Sequence, residues 1–137
     1  MYAAVADIER YPEFLPWCEK LIVRKREMEG EIEFVTAEMF IAYRGLRERY
    51  VSLVRLDPVA RTIEARHVEG PFRRLDTRWR FVPLARGSEV HYLIDFAFKN
   101  VVLSAVAGAA FGFVAGRMAE AFVQRAAALY GSNDLNE

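Results

Sequence analysis

Hydrophobic and polar residues alternate through the middle of the chain, from residue 21 to residue 98. Successive side chains of a strand point to opposite faces, so a period of two predicts strands with one buried and one solvated face. Turn signals such as Glu29-Gly30 and Asp57-Pro58 divide this region. The pattern predicts six strands with antiparallel neighbours, namely Leu21–Lys25, Glu31–Tyr43, Glu48–Leu56, Thr62–Val68, Leu75–Val82 and Glu89–Phe98.

The last two predicted strands alternate most clearly. One face carries large apolar residues, and the positions between them are mostly charged, which predicts a sheet with one covered face. The covered positions of these two strands are Leu75, Thr77, Trp79, Phe81, Val90, Tyr92, Ile94, Phe96 and Phe98.

Helical patterns lie on both sides of the predicted sheet. Residues 1–10 predict a short helix that ends before Pro12, because proline cannot continue a helix. The next segment, Tyr11–Cys18, contains two prolines and three aromatic residues and is predicted to be a rigid apolar loop. Val101–Tyr130 predicts a helix roughly 45 Å long, with Asn100 as its N-cap. We therefore expect an α+β helix-grip fold, in which a curved antiparallel sheet wraps around one long C-terminal helix.

The first half of the long helix is apolar on all sides, because Asn100 to Gly116 contains no charged residue. Three interpretations remain open: a transmembrane helix, a face buried by loops or a second subunit in a homodimer, and an exposed patch that touches a membrane or a lipid. Glycines on the sheet side of this helix either allow close packing or leave a cavity opposite the aromatic residues.

The chain has 137 residues, 19 basic and 19 acidic side chains, and 53% hydrophobic residues. This composition argues against a disordered tail and against a strongly basic nucleic-acid binder. A single cysteine, Cys18, and no visible leader segment suggest the reducing cytoplasm. Four arginines, Arg73, Arg74, Arg78 and Arg80, could meet lipid headgroups or RNA phosphates, or pair with acids on a solvated face.

No recognisable catalytic motif or zinc spacing is present. His67 and His91 lie in separate predicted strands, where each is expected to be a surface or partly satisfied sheet residue. Carboxylates such as Glu38, Glu48 and Asp95 could act as an acid or a base if buried, but are expected to form exposed salt bridges. The sequence therefore predicts a protein without catalytic residues or a metal.

Three motifs resemble the START-like family of ubiquinone-binding (coenzyme Q-binding) proteins. They are VADIERYPEFLPWC at residues 5–18, GPFRRL at 70–75 followed by WRF at 79–81, and IDFAFK at 94–99. Bacterial members are also labelled cyclase/dehydrase or ribosome-association toxin. The resemblance implies a helix-grip fold with a hydrophobic tunnel between sheet and helix. The family normally has a strand before its first helix, whereas this chain starts inside that helix, so we expect the first strand to be missing.

The resemblance marks the Tyr11–Trp17 segment as the tunnel mouth and Gly70–Phe72 as a second gate, with aromatic strand residues as the wall. We expect no cofactor other than the bound lipid. The candidate ligand-binding residues are Tyr11, Phe14, Trp17, Tyr43, Tyr50, Pro71, Phe72, Leu75, Trp79, Phe81, Phe96, Phe98, Gly108, Phe111 and Gly112.

The resemblance thus implies a non-enzymatic carrier of ubiquinone or a related polyprenyl lipid. Such a carrier would be cytoplasmic and would associate peripherally with the inner membrane, near the respiratory chain. Two alternatives remain open. An aromatic polyketide cyclase or dehydratase would need acid and base groups inside the tunnel, and a ribosome-binding toxin that blocks subunit association would need a continuous basic surface.

Overall fold

The computed structural model describes residues 2–15, 17–43, 46–85 and 88–130. Within these ranges, the backbone alone is described for residues 43, 46, 88, 103–112, 114 and 128–130. Gly131, which follows the predicted C-terminal helix in the sequence, lies outside the described residues.

Six antiparallel strands form one sheet in which the spatial order follows the chain order. All six predicted strands are confirmed. Five are longer than the alternating pattern indicates, because backbone pairing extends beyond the residues whose side chains alternate. The second strand begins one residue later than predicted. The strands are β1 (Cys18–Glu29), β2 (Ile32–Tyr43), β3 (Leu46–Asp57), β4 (Thr62–Glu69), β5 (Phe72–Pro83) and β6 (Ser88–Phe98).

The two faces of the sheet differ as the sequence predicts. On β5, Leu75, Trp79 and Phe81 are buried, whereas the residues between them are exposed apart from the half-buried Thr77. Among the described residues, irregular pairing interrupts the ladder at four places, including Phe72/Arg74 at the start of β5. Such bulges bend strands and increase their twist, which allows the inner face to curve around a helix.

The N-terminal segment differs from its prediction. It contains two short helices, α1 (Tyr2–Ala6) and α2 (Tyr11–Phe14), with a 3-10 turn at Ile8–Arg10 between them. The expected loop at Tyr11–Phe14 is wrong, because Pro12 sits in the first turn of α2, where a helix does not need the missing N–H. The Tyr11 hydroxyl donates to the carbonyl of Val5 and ties α2 to α1.

The long C-terminal helix, α3 (Val101–Tyr130), has the predicted bounds. Asn100 caps it, since its side-chain oxygen accepts the backbone N–H of Val102 at 2.8 Å. Ala115, Phe122 and Ala126 are buried against the core. The predicted α+β arrangement of a curved sheet around a C-terminal helix is confirmed.

We expect Asn100→Ala to lower the free energy of unfolding by about 1 kcal/mol, because it removes the cap of α3. For a chain of this size that corresponds to a Tm lower by about 4 °C, measured by circular dichroism. Asn100→Asp keeps the acceptor oxygen and serves as the control. An unchanged Tm of Asn100→Ala would contradict the role of this cap.

Candidate ligand-binding cavity

An apolar cavity of about 130 Å³ lies between the inner face of the sheet, the N-terminal helices and the second half of α3. Every strand contributes to its wall, from Leu21 of β1 to Ile94 of β6. The N-terminal segment contributes Ile8, Tyr11 and Leu15. Four residues of α3 complete the lining, namely Ala115, Met118, Ala119 and Phe122.

Contacts between aromatic rings hold one side of the cavity in place. The Trp79 ring lies 4.3 Å from Tyr92 and 5.3 Å from Phe122, measured between ring centroids. Tyr11 meets the same Phe122 ring edge-on at 4.9 Å. Such contacts add about 0.5–1.5 kcal/mol per pair to the energy of burial. The sheet, α2 and α3 are therefore joined through Trp79, Phe122 and Tyr11.

Hydroxyl groups supply the polarity of the cavity. Burial raises the pKa of Tyr92 to about 12. It also raises the pKa values of Tyr11 and Tyr50, so all three phenols stay neutral at physiological pH. The Tyr50 hydroxyl lies 3.2 Å from the sulfur of Met39. Among the described lining residues there is no carboxylate, imidazole or amine.

The structure brings four of the predicted site residues to the cavity wall: Tyr11, Tyr50, Leu75 and Trp79. Phe81 is buried behind the wall, where it stacks on Trp79 at 5.9 Å. Phe14 packs on Phe122 at the helical side of the core, with a centroid distance of 5.4 Å.

Other predicted residues form a second aromatic cluster beside the cavity. Phe72, Leu75 and Phe98 are buried together, and Tyr50, Ile94 and Phe96 pack against them. Since Tyr50, Leu75 and Ile94 also line the cavity, the cluster and the cavity share a wall. We call these six residues the aromatic gate.

The remaining predicted residues are distributed around the structure. The Pro71 carbonyl accepts the backbone N–H of Lys99 at 2.9 Å, and Trp17 lies 5.9 Å from the Phe113 ring. The side chains of four predicted residues lie outside the described ones, namely Tyr43, Gly108, Phe111 and Gly112.

Several lining residues are absent from the predicted ligand-binding set, although Thr77 was predicted to lie on the covered face of the sheet. Ser52, Met39 and Thr77 line the cavity from the strands, and Met118 and Ala119 line it from α3. Small and unbranched residues do not stand out in a hydrophobic pattern. For the strand residues Ser52 and Met39, the period of two could have predicted their position, since each shares a strand face with the residues two positions away.

The turn that follows β4 packs tightly over the aromatic gate. Gly70 has a φ of 141°, which favours glycine. A Cβ atom there would lie 2.8 Å from the Cβ of Tyr50 and 2.9 Å from the Cε1 atom of His67. Glycine is therefore required at this position by both conformation and space.

Ion pairs cover much of the outer face of the sheet. Arg74 pairs with Asp95 at 2.9 Å and Arg78 with Glu64 at 3.1 Å, so at least two of the four clustered arginines are paired with acids. The expectation of an exposed Glu38 is wrong, because this side chain is 1% exposed.

Two guanidinium groups, from Arg24 and Arg49, lie over Glu38. Their hydrogen bonds lower the pKa of Glu38. The arginine side chains replace water around the carboxylate, and this explains its burial on an outer face.

Part of α3 presents apolar residues to solvent. Val101 is 80% exposed, Val102 71% and Phe113 53%. These three residues agree with the predicted apolar outward face. Within the part of the chain that the structure describes, no helix has the length and hydropathy needed to cross a membrane.

Comparison with known proteins identifies the family of this chain. The family model "Polyketide cyclase / dehydrase and lipid transport" matches residues 1–123. The chain belongs to this family. It is also 33% identical over 130 residues to the ribosome association toxin RatA of Rickettsia prowazekii, with 92% of this chain and 86% of that protein covered.

A second relative carries a different name. The chain is 30% identical over 140 residues to the mitochondrial coenzyme Q-binding protein COQ10 homolog B of Xenopus laevis. The match covers 98% of this chain and 55% of the frog protein, so the chain spans about half of that relative. The motif-based resemblance to this group of proteins is confirmed.

Solved structures establish the fold. A START superfamily protein from Mycobacterium smegmatis superimposes with a TM-score of 0.74 at 20% identity, over 93% of this chain and 88% of that one. The helix-grip fold is therefore confirmed.

We expect the free energy of unfolding to fall as the pH rises from about 10 to about 12. A tyrosine in the unfolded chain ionises near pH 10, whereas burial holds the pKa of folded Tyr92 at about 12. In that window the folded state keeps a proton that the unfolded state has lost, so alkali favours unfolding. Urea unfolding at several pH values should show a smaller loss for Tyr92→Phe than for the wild type. Equal losses in the two proteins would contradict the assignment.

Proposed function

We propose that this protein binds a lipophilic quinone, ubiquinone or a related polyprenyl lipid, in the cavity between the sheet and α3. It would carry or present this ligand without altering it. The observation that carries the proposal is the lining of the cavity, which combines aromatic and aliphatic walls with a few neutral hydroxyls. A quinone head is a flat, uncharged ring with hydrogen-bond acceptors, and sites with few polar groups in apolar walls suit such ligands. The kinship with a protein named for coenzyme Q binding supports the same ligand class.

The volume of the cavity determines how binding would proceed. A dry cavity of about 150 Å³ in another protein holds benzene, so about 130 Å³ is the size of a single small ring. A substituted quinone with a polyprenyl tail is larger, and ligand binding must therefore enlarge the cavity. Met39 and Met118 line it from opposite sides, and their unbranched side chains can change conformation at low cost.

The same lining argues against the cyclase or dehydratase alternative. General acid–base catalysis needs a group whose pKa lies near the working pH. Burial moves the pKa values of Tyr11, Tyr50 and Tyr92 away from that range. The described lining residues thus offer binding groups rather than a general base.

We expect Ala119→Leu to abolish or strongly weaken quinone binding, because the larger side chain would occupy the cavity from α3. Gln124→Leu is the matched control, since it places the same side chain on an exposed position of the same helix. Binding of a ubiquinone with one isoprene unit can be followed by quenching of tryptophan fluorescence, because Trp79 lines the cavity.

The wild type and Gln124→Leu should show saturable quenching, and Ala119→Leu should require at least about tenfold more quinone, a difference of about 1.4 kcal/mol. Absence of saturable binding by the wild type would refute the proposed function.

We further propose that the start of α3 contacts a membrane surface, where a carrier of such a lipid must collect and release it. Val101 and Val102 form an exposed apolar pair in the first turn of the helix. The exposed Lys99 precedes them and can approach anionic headgroups. Apolar side chains beside a basic one are typical of interfacial contacts.

We expect the double variant Val101→Asp, Val102→Asp to sediment less with vesicles of phosphatidylglycerol and phosphatidylcholine than the wild type. Aspartate is tolerated in the first turn of a helix, so the fold should survive. Leu84→Asp changes another residue that is 50% exposed and is the control. Equal sedimentation of the double variant and the control would contradict this contact.

Ribosome binding is a second candidate function, favoured by the identity to the protein named ribosome association toxin RatA. The ion pairs of Arg74 and Arg78 reduce the positive charge available on the outer face for rRNA phosphates. Sedimentation with separated ribosomal subunits distinguishes this candidate, since quinone binding alone predicts no shift.

A further inference from the structure

His67 is an unusual member of the inner face of the sheet. It lies on β4, two residues beyond Ala65, which lines the cavity. Both of its ring nitrogens are enclosed and lack a hydrogen-bond partner among the described residues. The sequence-based expectation of a surface histidine is therefore wrong for the enclosed ring of His67, which the Gly70 backbone approaches. It holds for His91, which is exposed and pairs with Glu89.

Aromatic side chains surround the imidazole. Phe72 of the aromatic gate meets it edge-on at 5.3 Å, and the Tyr50 ring lies at 6.5 Å. The Gly70 turn approaches it closely enough that only glycine fits. Removal from water lowers the pKa of His67, and a hydrogen-bonding contribution from the Gly70 backbone partly offsets this, although neither ring nitrogen has a partner of good hydrogen-bond geometry among the described residues. The ring is therefore neutral at physiological pH, with one nitrogen that donates and one that accepts.

An enclosed polar group without a partner costs folding free energy. Phenylalanine or leucine would fill the same space among Phe72 and Tyr50 without that cost. Because a buried unpaired nitrogen is unfavourable for folding alone, its presence beside a cavity indicates a role in binding.

The cavity is within reach of the ring. His67 is the direct cross-strand partner of Ser52, and Ser52 lines the cavity. Side chains paired in this way across antiparallel strands have Cβ atoms about 4.5–5.5 Å apart. A ligand atom held at the Ser52 hydroxyl would therefore lie close to the imidazole once the Phe72 ring turns aside.

We propose that His67 is a specificity-determining residue whose ring N–H donates a hydrogen bond to a carbonyl oxygen of the bound quinone head, beside the Ser52 hydroxyl. This inference rests on the proposed function and deepens it. It assigns the head of the ligand to the end of the cavity next to the aromatic gate. It also explains why a polar side chain lies against the apolar residues of the aromatic gate.

The test compares two ligands that differ only in the carbonyl oxygens, 2,3-dimethyl-1,4-naphthoquinone and 2,3-dimethylnaphthalene. The wild type should prefer the quinone. His67→Phe should lose about tenfold in quinone affinity, the size of one hydrogen bond, and keep its affinity for the hydrocarbon. His67→Gln retains an N–H donor and should keep part of the preference. Calorimetry or competition with a fluorescent ligand measures all three proteins.

A second measurement does not depend on any ligand. The Tm of ligand-free His67→Phe should exceed that of the wild type, because the variant removes the unpaired nitrogens. A lower Tm would mean that the fold itself satisfies the imidazole, and this would overturn the inference.

The binding results distinguish the role of His67 from quinone binding itself. If the wild type binds the quinone and His67→Phe binds it equally well, the role of His67 is refuted while the proposed function stands. If the wild type binds neither ligand, the proposed function fails and the inference fails with it.

Discussion

The inner face of the sheet is the constraint on which the rest of the structure depends. It is apolar across all six strands, and burying it is the main source of stability for such a fold. A single helix, α3, and the short N-terminal helices provide the cover. A curved sheet and a single long helix do not match in shape, so the space between them must be filled by large side chains or remain partly empty. In this protein Trp79, Phe122 and Tyr11 fill one part, and the cavity remains beside them.

The chemistry of that cavity follows from the strand period. Every second residue of each strand faces the helix, so the lining samples the inner positions of six strands at once. Most of these positions must be apolar to hold the core together. Polar residues occupy a few of these positions, such as Ser52, Thr77 and His67. Burying a polar side chain costs folding free energy, and a hydrogen bond to a ligand could offset that cost.

The sequence predicted the fold more completely than the site. Alternation and turn residues located all six strands, and Asn100 located the start of α3, because these signals are local. The prediction at Pro12 was wrong, since a proline ends a helix only from inside it and is favourable in a first turn. Leu75 and Trp79 were found because they are large apolar residues on the covered strand face, and Tyr11 was found because the family motif marks it. Ser52 and Ala119 were not, because their importance depends on which strands and helix faces meet, which is a property of the three-dimensional packing.

The two faces of the sheet can change independently, and this bears on how relatives with different names share one fold. Glu38 and its two arginines lie on the outer face, whereas the neighbouring residues Ala37 and Met39 line the cavity. A substitution at one position of a strand therefore alters one face and leaves the chemistry of the other in place. Fold alone does not specify function for this reason. The inner face contains the hydroxyls, the enclosed imidazole and the empty volume, whereas several arginines of the outer face, such as Arg24, Arg49 and Arg74, are paired with acids. The inner face is thus the place where the residues of this chain depart furthest from what folding alone requires.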